Sequence, residues 1–138
     1  MRPRESIKVL IADDHDLTRL GIKTLIAQQP HCQVVGIAVN GQQAIDLAKI
    51  YQPDVIILDI QMPVLDGHSA AIQIKQFDPY VRIIAYSSLA KLPMGKNNQS
   101  TAFDLYCSKD ISSQALITAI HDLGKLAQSD KDQFRRVG

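Results

Sequence analysis

The stretch Asp-Val-Ile-Ile-Leu-Asp-Ile-Gln-Met-Pro-Val-Leu-Asp-Gly, residues 54–67, decides how the rest of the chain is interpreted. Its four apolar residues, 55–58, form an unbroken run that predicts a strand buried on both faces of a sheet. Asp59 follows this run directly, so its carboxylate is placed where open α/β sheets bind their ligands, beyond the carboxyl ends of the strands. The stretch therefore predicts an α/β protein with a reactive acid at the edge of its sheet.

A second apolar run, residues 9–12, ends in the same way with Asp13 and Asp14. Three carboxylates at neighbouring strand ends repel one another unless they share a proton or a hard divalent cation. The two runs together predict a metal site in which one carboxylate is free to act as a nucleophile.

Short apolar runs alternate with amphipathic stretches along the whole chain, which is typical of βα units and a parallel sheet. The predicted strands are Ile7–Ala12, Gln33–Val39, Asp54–Leu58, Val81–Tyr86 and Phe103–Cys107. The predicted helices are Asp16–Gln29, Gln42–Tyr51, Gly67–Gln76 and Ser112–Ala127, with Ser112 and Ser113 as candidate caps of the last. In the first helix, Leu17, Leu20, Ile22 and Leu25 are predicted to share a buried face.

The segment from Leu89 to Thr101 breaks this alternation. A crossover helix belongs there, because parallel strands need such a connection, but the segment contains Pro93, Gly95 and two asparagines and keeps no apolar period. We therefore predict that this crossover, the fourth, is short, irregular or mobile.

Composition fits one globular domain: the chain has 138 residues, of which 46% are hydrophobic and 21% charged. We predict a domain over residues 1–127 and a solvated tail or start of a linker over residues 128–138. The net charge of +1 gives no support for nucleic-acid binding, and no apolar run approaches the ~20 residues that cross a membrane. The charged N-terminus is not a signal peptide, and Cys32 and Cys107 form no C-x-x-C pair, so we expect a reduced, cytoplasmic protein.

Two further residues follow predicted strands and reach the same edge: Ser87 after the fourth strand and Lys109 after the fifth. An acid pair, a central carboxylate, a hydroxyl and an ammonium suit phosphoryl transfer to a carboxylate, in which the protein supplies positioning and charge stabilisation. Lys109 can pair with a phosphoryl oxygen as a point charge, and Ser87 can donate a hydrogen bond to another. The four histidines, at positions 15, 31, 68 and 121, lack metal-ligand spacing and are predicted to lie at the surface; His15 adjoins the pocket.

The chain resembles the receiver domains of two-component response regulators over about residues 7–126. The motifs that carry the resemblance are Asp13-Asp14, Asp59 with Met62-Pro63 and Asp66-Gly67, Ser87-Ser88, and Tyr106 three residues before Lys109. The sequence at residues 38–41 and Lys109-Asp110 are similar to the subgroup often joined to a LuxR-type helix-turn-helix domain. Ala102-Phe103-Asp104-Leu105 departs from the small Gly-Ala-x-Gly turn of the family.

The resemblance implies a flavodoxin-like (βα)5 fold with strand order 2-1-3-4-5. It implies that Asp59 is the phospho-acceptor, that Asp13, Asp14 and Asp59 hold Mg²⁺ together with the backbone carbonyl of Gln61, and that Lys109 and Ser87 contact the phosphoryl group. Ser87 and Tyr106 would form the conformational switch.

The expected function is that of a signalling domain rather than an enzyme. The phosphoryl group would come from a sensor histidine kinase or a phosphotransfer protein, and the only reactions catalysed would be the domain's own phosphorylation and dephosphorylation. The resemblance also allows a homodimer, and it makes DNA a partner only if a helix-turn-helix domain follows Gly138.

Two alternatives stay open at this point. One is an interaction module that keeps the fold without control by phosphorylation, for which the irregular 89–101 segment is the support. The other is a phosphohydrolase with an aspartyl-phosphate intermediate. That class commonly has a second acid two residues after the nucleophile, where this chain has Gln61, and it needs a substrate domain that so short a chain lacks.

Overall fold

A five-stranded parallel sheet forms the centre of the molecule, in a computed structural model that describes residues 6–88 and 102–137. The strands are β1 (Ile7–Ala12), β2 (Cys32–Ala38), β3 (Val55–Leu58), β4 (Arg82–Ser87) and β5 (Leu105–Ser108). They lie in the order β2-β1-β3-β4-β5, and every neighbouring pair is parallel. This order is that of flavodoxin-like folds, so the predicted fold class is confirmed.

Helices cover both faces of the sheet. Those of the described residues are α1 (Asp16–Ala27), α2 (Gly41–Tyr51), α3 (Gly67–Phe77) and α4 (Ser113–Val137). Apolar residues of α2 and α3 pack on one face of β1, β3 and β4, and those of α1 and α4 pack on the other. Because both faces are buried, the central strands are continuous apolar runs rather than alternating ones.

The starts of three helices are fixed by capping side chains. The side chains of Asn40, Asp66 and Ser112 each accept a hydrogen bond from the backbone N–H three residues further on, at 2.8, 2.8 and 3.1 Å. Such a cap satisfies an N–H that the first turn of a helix leaves without a partner. Ser112, one of the two predicted caps, is therefore confirmed in that role.

The predicted buried face of α1 is wrong at two leucines. Leu17 and Leu20 are 83% and 60% exposed, whereas Ile22 and Ile26 are buried against the sheet. Successive helical residues are about 100° apart, so Ile22 and Ile26 share one side and Leu17 lies about 140° away from Ile22. The sequence offers more apolar residues than one face can bury, and two of them are left in solvent.

The last helix is longer than predicted. The expected end was Ala127, but α4 continues without a break to Val137. The predicted tail is thus helical through residue 137, and the helix passes the predicted domain boundary between residues 127 and 128.

The added turns of α4 contact the opposite end of the sheet from Asp59. Asp130 forms an ion pair with Arg82 at the start of β4. The Lys131 ammonium donates to the backbone carbonyl of Pro53 at 3.1 Å and lies 3.5 Å from the carboxylate of Asp54. These contacts attach the C-terminal part of the helix to the amino ends of β3 and β4.

The other predicted element bounds agree with the structure within two residues, with β5 beginning at Leu105 instead of Phe103. The predicted irregular crossover, residues 89–101, lies outside the described residues. None of the helices in the described ranges combines the length and apolar character that crossing a bilayer requires.

Candidate functional site

Parallel pairing brings the ends of four strands to one place. Ala12 pairs with Leu58, Leu58 with Ala85, and Ser87 with Ser108. The residue after each strand continues the ladder by one backbone bond: Asp59 N–H donates to the Ala12 carbonyl at 2.9 Å, and Lys109 N–H to the Ser87 carbonyl at 2.8 Å. The backbone therefore places the predicted site residues side by side at the carboxyl edge of the sheet.

Two of the acids at this edge are buried around one ammonium group. Asp13 is 1% exposed and Asp59 is 3% exposed. The Lys109 Nζ lies 2.9 Å from Asp13 Oδ2 and 3.3 Å from Asp59 Oδ2. One cation is thus shared by two buried carboxylates, and Asp14, whose side chain is 33% exposed, adds a third acid at the rim.

The loop after β3 holds Asp59 in place. The backbone N–H of Gln61 donates to Asp59 Oδ1 at 3.2 Å, and Gly67 N–H donates to the Ile60 carbonyl at 2.8 Å. A Cβ on Gly67 would lie 2.0 Å from the backbone oxygen of Asp59, so only glycine fits there. The Asp66-Gly67 pair thus begins α3 and packs it against the acid.

The surroundings shift the pKa of both partners in the pocket. Burial and, after it, the charge of Asp13 raise the pKa of Asp59 above its ordinary value, against the opposing effects of the Gln61 N–H and Lys109. Burial alone would lower the pKa of Lys109, but pairing with Asp13 and Asp59 outweighs it, and the pKa is raised. The Lys109 ammonium therefore stays charged at neutral pH. Its single positive charge does not balance the negative charges of the carboxylates around it.

The predicted site residues do not all lie on the same surface. An open cleft is lined by Asp14, Asp59, Gln61, Ser87 and Lys109, together with Met62, Pro63, Asp66 and Ser88. Asp13 lies beneath them, and Ser87 is 2% exposed. Tyr106 pairs with Ala85 inside the sheet and stacks edge-on against Phe103, with ring centres 5.4 Å apart. Tyr106 is thus a half-buried neighbour of the site.

His15 is predicted from the sequence to lie next to the pocket, but it is not among the predicted metal ligands. Its ring is exposed, as predicted, but its Nδ1 lies 2.9 Å from Asp13 Oδ1, 3.2 Å from Asp14 Oδ1 and 3.7 Å from Asp59 Oδ2. The same nitrogen is 3.3 Å from the Lys109 ammonium. The only signal in the sequence was its position next to the acid pair.

The donor set fits a divalent cation. Ligand atoms from Asp13, Asp14, His15 and Asp59 all lie within 4.8 Å of one another. Asp13 Oδ2 is buried and accepts no hydrogen bond from the described residues, although the Lys109 ammonium is close enough to form an ion pair. Carboxylate oxygens are the ligands that Mg²⁺ prefers, so the three aspartates match the metal that the sequence predicts.

Comparison with known proteins gives one consistent result. Residues 9–121 match the family model described as the response regulator receiver domain. A protein-glutamate methylesterase/protein-glutamine glutaminase of Methanosarcina mazei is 42% identical over 131 residues, which are 95% of this chain and 35% of that protein. The nitrate/nitrite response regulator NarL of Escherichia coli K12 is 33% identical over 121 residues, which are 88% of this chain and 56% of that protein.

Among solved structures, the response regulator domain of Thermotoga maritima CheB superimposes with a TM-score of 0.75 and 29% identity, covering 88% of this chain and 98% of that one. The chain thus matches a separate domain of this fold over nearly its full length, whereas it spans only about a third to a little over half of the two curated relatives.

Proposed function

From the premise that the chain belongs to the family of response regulator receiver domains, which are signalling domains of two-component systems, we propose that Asp59 accepts a phosphoryl group. The observation that carries the proposal is the pairing of a buried Asp59 with Lys109 at 3.3 Å, at the floor of an open cleft. An aspartate in a closed ion pair would be structural, whereas this one faces a space that a phosphoryl group can enter.

The reaction is the transfer of a phosphoryl group from a phosphohistidine to a carboxylate. An Asp59 carboxylate oxygen forms a bond to phosphorus while the bond from phosphorus to the imidazole nitrogen breaks, and the imidazole leaves with the electron pair and takes up a proton. The product is an acyl phosphate on Asp59. We propose a sensor histidine kinase or a phosphotransfer protein as the donor.

The neighbours of Asp59 supply charge and position. The Lys109 ammonium pairs with Asp59 before the transfer and would pair with a phosphoryl oxygen after it. Ser87 lines the same cleft, and its hydroxyl can donate a hydrogen bond to another phosphoryl oxygen. Mg²⁺, when bound, neutralises phosphoryl oxygens, and Asp13, Asp14, Asp59 and the backbone carbonyl of Gln61 are the groups that would hold it. The shortage of positive charge around the buried carboxylates supports this requirement.

The signal is proposed to pass through Ser87 and Tyr106. Phosphorylation replaces the singly charged Asp59 carboxylate with an acyl phosphate that carries roughly two negative charges, beside the carboxylates of Asp13 and Asp14, so it biases the domain between two conformations. Ser87 faces the cleft at the end of β4, and Tyr106 lies on the adjacent β5, packed against Phe103. A shift of Ser87 towards the phosphoryl group would open space next to the strand that carries Tyr106.

A protein donor has to cover the rim of the cleft, and that rim is apolar on one side. Leu17 lines the cleft, and it and Leu20 are the exposed leucines of α1. We propose that the donor packs on them. The double substitution Leu17→Ser and Leu20→Ser should lower transfer from a kinase but not labelling by acetyl phosphate. Ile50→Ser, at a residue that is 68% exposed on α2, is the control.

We propose no single output for the domain. The relatives include a methylesterase and, by name, response and transcriptional regulators, so the shared receiver domain does not determine it. Binding of DNA is proposed only for a protein in which a helix-turn-helix domain accompanies this one. The interaction-module alternative rests on residues 89–101, outside the described ranges, and nothing in the described residues favours it or the phosphohydrolase.

Incubation with acetyl phosphate and Mg²⁺, followed by intact mass measurement, tests the central proposal. The wild-type chain should gain one labile phosphoryl group, and Asp59→Asn should gain none. Asp54→Asn is a matched control, because Asp54 is a buried aspartate at the other end of β3, and it should be labelled like the wild type. Labelling of the Asp59→Asn chain to the wild-type extent would contradict the assignment.

A further inference from the structure

We propose that His15 is a metal ligand through Nδ1, and that it makes the acidic pocket a mixed nitrogen–oxygen site that binds divalent transition-metal ions more tightly than Mg²⁺. The inference rests on the proposed function in one respect, because it requires that the pocket bind a divalent cation. Beyond that function, the His15 nitrogen is an additional ligand beside the carboxylate oxygens, and it favours divalent transition-metal ions.

The distances around Nδ1 are close to those between neighbouring ligands in a coordination polyhedron. Metal–ligand bonds of about 2.0–2.2 Å place neighbouring ligands about 3.0–3.5 Å apart. His15 Nδ1 lies 2.9 Å from Asp13 Oδ1, 3.2 Å from Asp14 Oδ1 and 3.7 Å from Asp59 Oδ2. One ion placed among these atoms would contact nitrogen and oxygen donors with only small movements of the side chains.

The local backbone turns the imidazole towards the acids. His15 is the N-cap residue of α1, but its side chain makes no capping hydrogen bond. Its backbone N–H instead donates to Asp13 Oδ1 at 2.8 Å, which closes a tight turn and directs the ring back over the carboxylates. The turn therefore directs the His15 ring into the pocket, and the ring does not cap α1.

The present contacts of Nδ1 cannot all be satisfied at once. Nδ1 is 2.9 Å from a carboxylate oxygen of Asp13, which requires that Nδ1 donate a hydrogen, and 3.3 Å from the Lys109 ammonium, which requires that Nδ1 accept one. In addition, the buried Asp13 Oδ2 lies 2.9 Å from the Lys109 ammonium, and Asp59 shares that same ammonium. A cation between Nδ1 and the carboxylates satisfies the nitrogen lone pair and the oxygens together.

Ligand chemistry then selects the ion. Imidazole suits Zn²⁺, Cu²⁺ and Ni²⁺, whereas Mg²⁺ is bound by carboxylates, carbonyls and water. Affinities of a site with nitrogen and oxygen donors rise from Mn²⁺ through Co²⁺ to Ni²⁺ and Cu²⁺. Loss of the His15 nitrogen should therefore reduce affinity for Ni²⁺ strongly and leave affinity for Mg²⁺ nearly unchanged.

Calorimetric titration of the full chain with NiCl₂ and with MgCl₂ measures this selectivity. We compare the wild type with His15→Ala and with His31→Ala, a control at an exposed histidine outside the pocket. His15→Ala should weaken Ni²⁺ binding by at least about tenfold, the lower limit seen when even an outer partner of a metal ligand is lost. The same variant should change Mg²⁺ binding less than about twofold, since Mg²⁺ takes oxygen ligands, and His31→Ala should change neither.

A measurement on the wild-type chain keeps the test independent of how the variant folds. With Mn²⁺ bound, electron spin echo envelope modulation should show coupling to an imidazole ¹⁴N, and His15→Ala should remove it. Absence of this coupling in the wild type would overturn the proposal. So would tighter Mg²⁺ binding by His15→Ala, because His15 would then be a resident cation that competes with the metal.

The two proposals fail in different ways. If Mg²⁺ binds and Asp59 is phosphorylated but no nitrogen coupling appears, His15 is not a ligand and the proposed function stands. If neither Ni²⁺ nor Mg²⁺ nor Mn²⁺ binds the wild-type chain, both the ligand role and the metal dependence of the proposed function are wrong. If nitrogen coupling appears but Asp59 is not labelled, the ligand role is supported and the phospho-acceptor role is overturned.

Discussion

Two buried aspartates flank the same short strand, and they have opposite surroundings. Asp54 precedes β3 and is 4% exposed, and Asp59 follows β3 and is 3% exposed. Asp54 accepts hydrogen bonds from the backbone N–H of Lys8 at 2.9 Å and from Gln128 Nε2 at 3.4 Å, and the Lys131 ammonium lies 3.5 Å away. Donors from β1 and α4 therefore surround the Asp54 carboxylate, and its oxygens have little room to bind another group.

At the other end of β3, Asp59 has acids as neighbours. It shares the Lys109 ammonium with Asp13, and its pKa is raised by burial and by the charge of Asp13. The comparison shows that burial and residue type alone do not distinguish the carboxylate that is paired with donors from the carboxylate that we propose as the phospho-acceptor. The difference lies in what the carboxylate faces: donors at the amino edge, and other carboxylates with an open cleft at the carboxyl edge.

The largest effect expected from this contrast is on stability. Asp54→Ala removes the acceptor from the partly buried Lys8 N–H and the partner of Lys131, and we expect a loss of about 2–3 kcal/mol in the free energy of unfolding. Asp54→Asn, which keeps an acceptor oxygen, should lose less. Urea denaturation measures both, with exposed Asp46→Ala as the control. A loss as large from Asp59→Asn would remove the contrast between the two ends of the strand.

A smaller effect concerns Mg²⁺. The ion should stabilise the wild-type chain by about 1.4 kcal/mol at ten times its Kd, because it binds the folded pocket and not the unfolded chain. Asp59→Asn should reduce this stabilisation, and Asp54→Asn should leave it unchanged. Thermal unfolding at several Mg²⁺ concentrations checks both. Equal reduction in the two variants would place the metal elsewhere.

The dependence of stability on pH also tests this contrast, and its direction follows from the raised pKa of Asp59. An acid whose pKa is higher in the folded chain holds its proton more tightly there than in the unfolded chain. Asp59 therefore favours folding most below its ordinary pKa of about 3.8, and this contribution is lost as pH rises through its folded pKa.

Relative to wild type, Asp59→Asn should thus gain stability as pH rises from about 3.8, the ordinary pKa, towards neutral. Urea denaturation of both proteins across this range gives the difference, with Asp46→Asn as the control. A difference that stays constant with pH would show that burial and Asp13 do not shift the pKa of Asp59.

The sequence was sufficient for features that depend on local pattern and on strand order. The apolar runs at residues 9–12 and 55–58 predicted buried strands because nothing polar interrupts them. The site followed from the same runs, since parallel strands bring their carboxyl ends to one edge and each run ends in an acid. Asp13, Asp14, Asp59, Ser87 and Lys109 were therefore placed together correctly without coordinates.

What the sequence did not predict depends on contacts between distant residues. Packing on the sheet decides which side of α1 is buried. Leu17 and Leu20 are exposed although they are as apolar as the buried Ile22 and Ile26. The end of α4 is held by Asp130 and Lys131 through partners at the amino edge of the sheet, far away in the chain. The orientation of the His15 ring over the acids depends on a turn that the spacing of histidines does not encode.

The smallest effect expected is that of Lys131→Ala at the amino edge. The substitution removes the bond to the Pro53 carbonyl at 3.1 Å and the longer ion pairs with Asp54 at 3.5 Å and Asp78 at 3.9 Å. Because the ammonium is partly exposed and the pairs are long, we expect a loss of only about 0.5–1 kcal/mol in the free energy of unfolding. Gln133→Ala, at an exposed position of the same helix, should change stability less. Hydrogen exchange gives the local readout: amides of residues 128–137 should exchange faster in Lys131→Ala, while those around Asp59 should not. Unchanged exchange at the end of α4 would show that Lys131 does not attach the helix to the sheet, and that Asp54 depends on Lys8 and Gln128 instead.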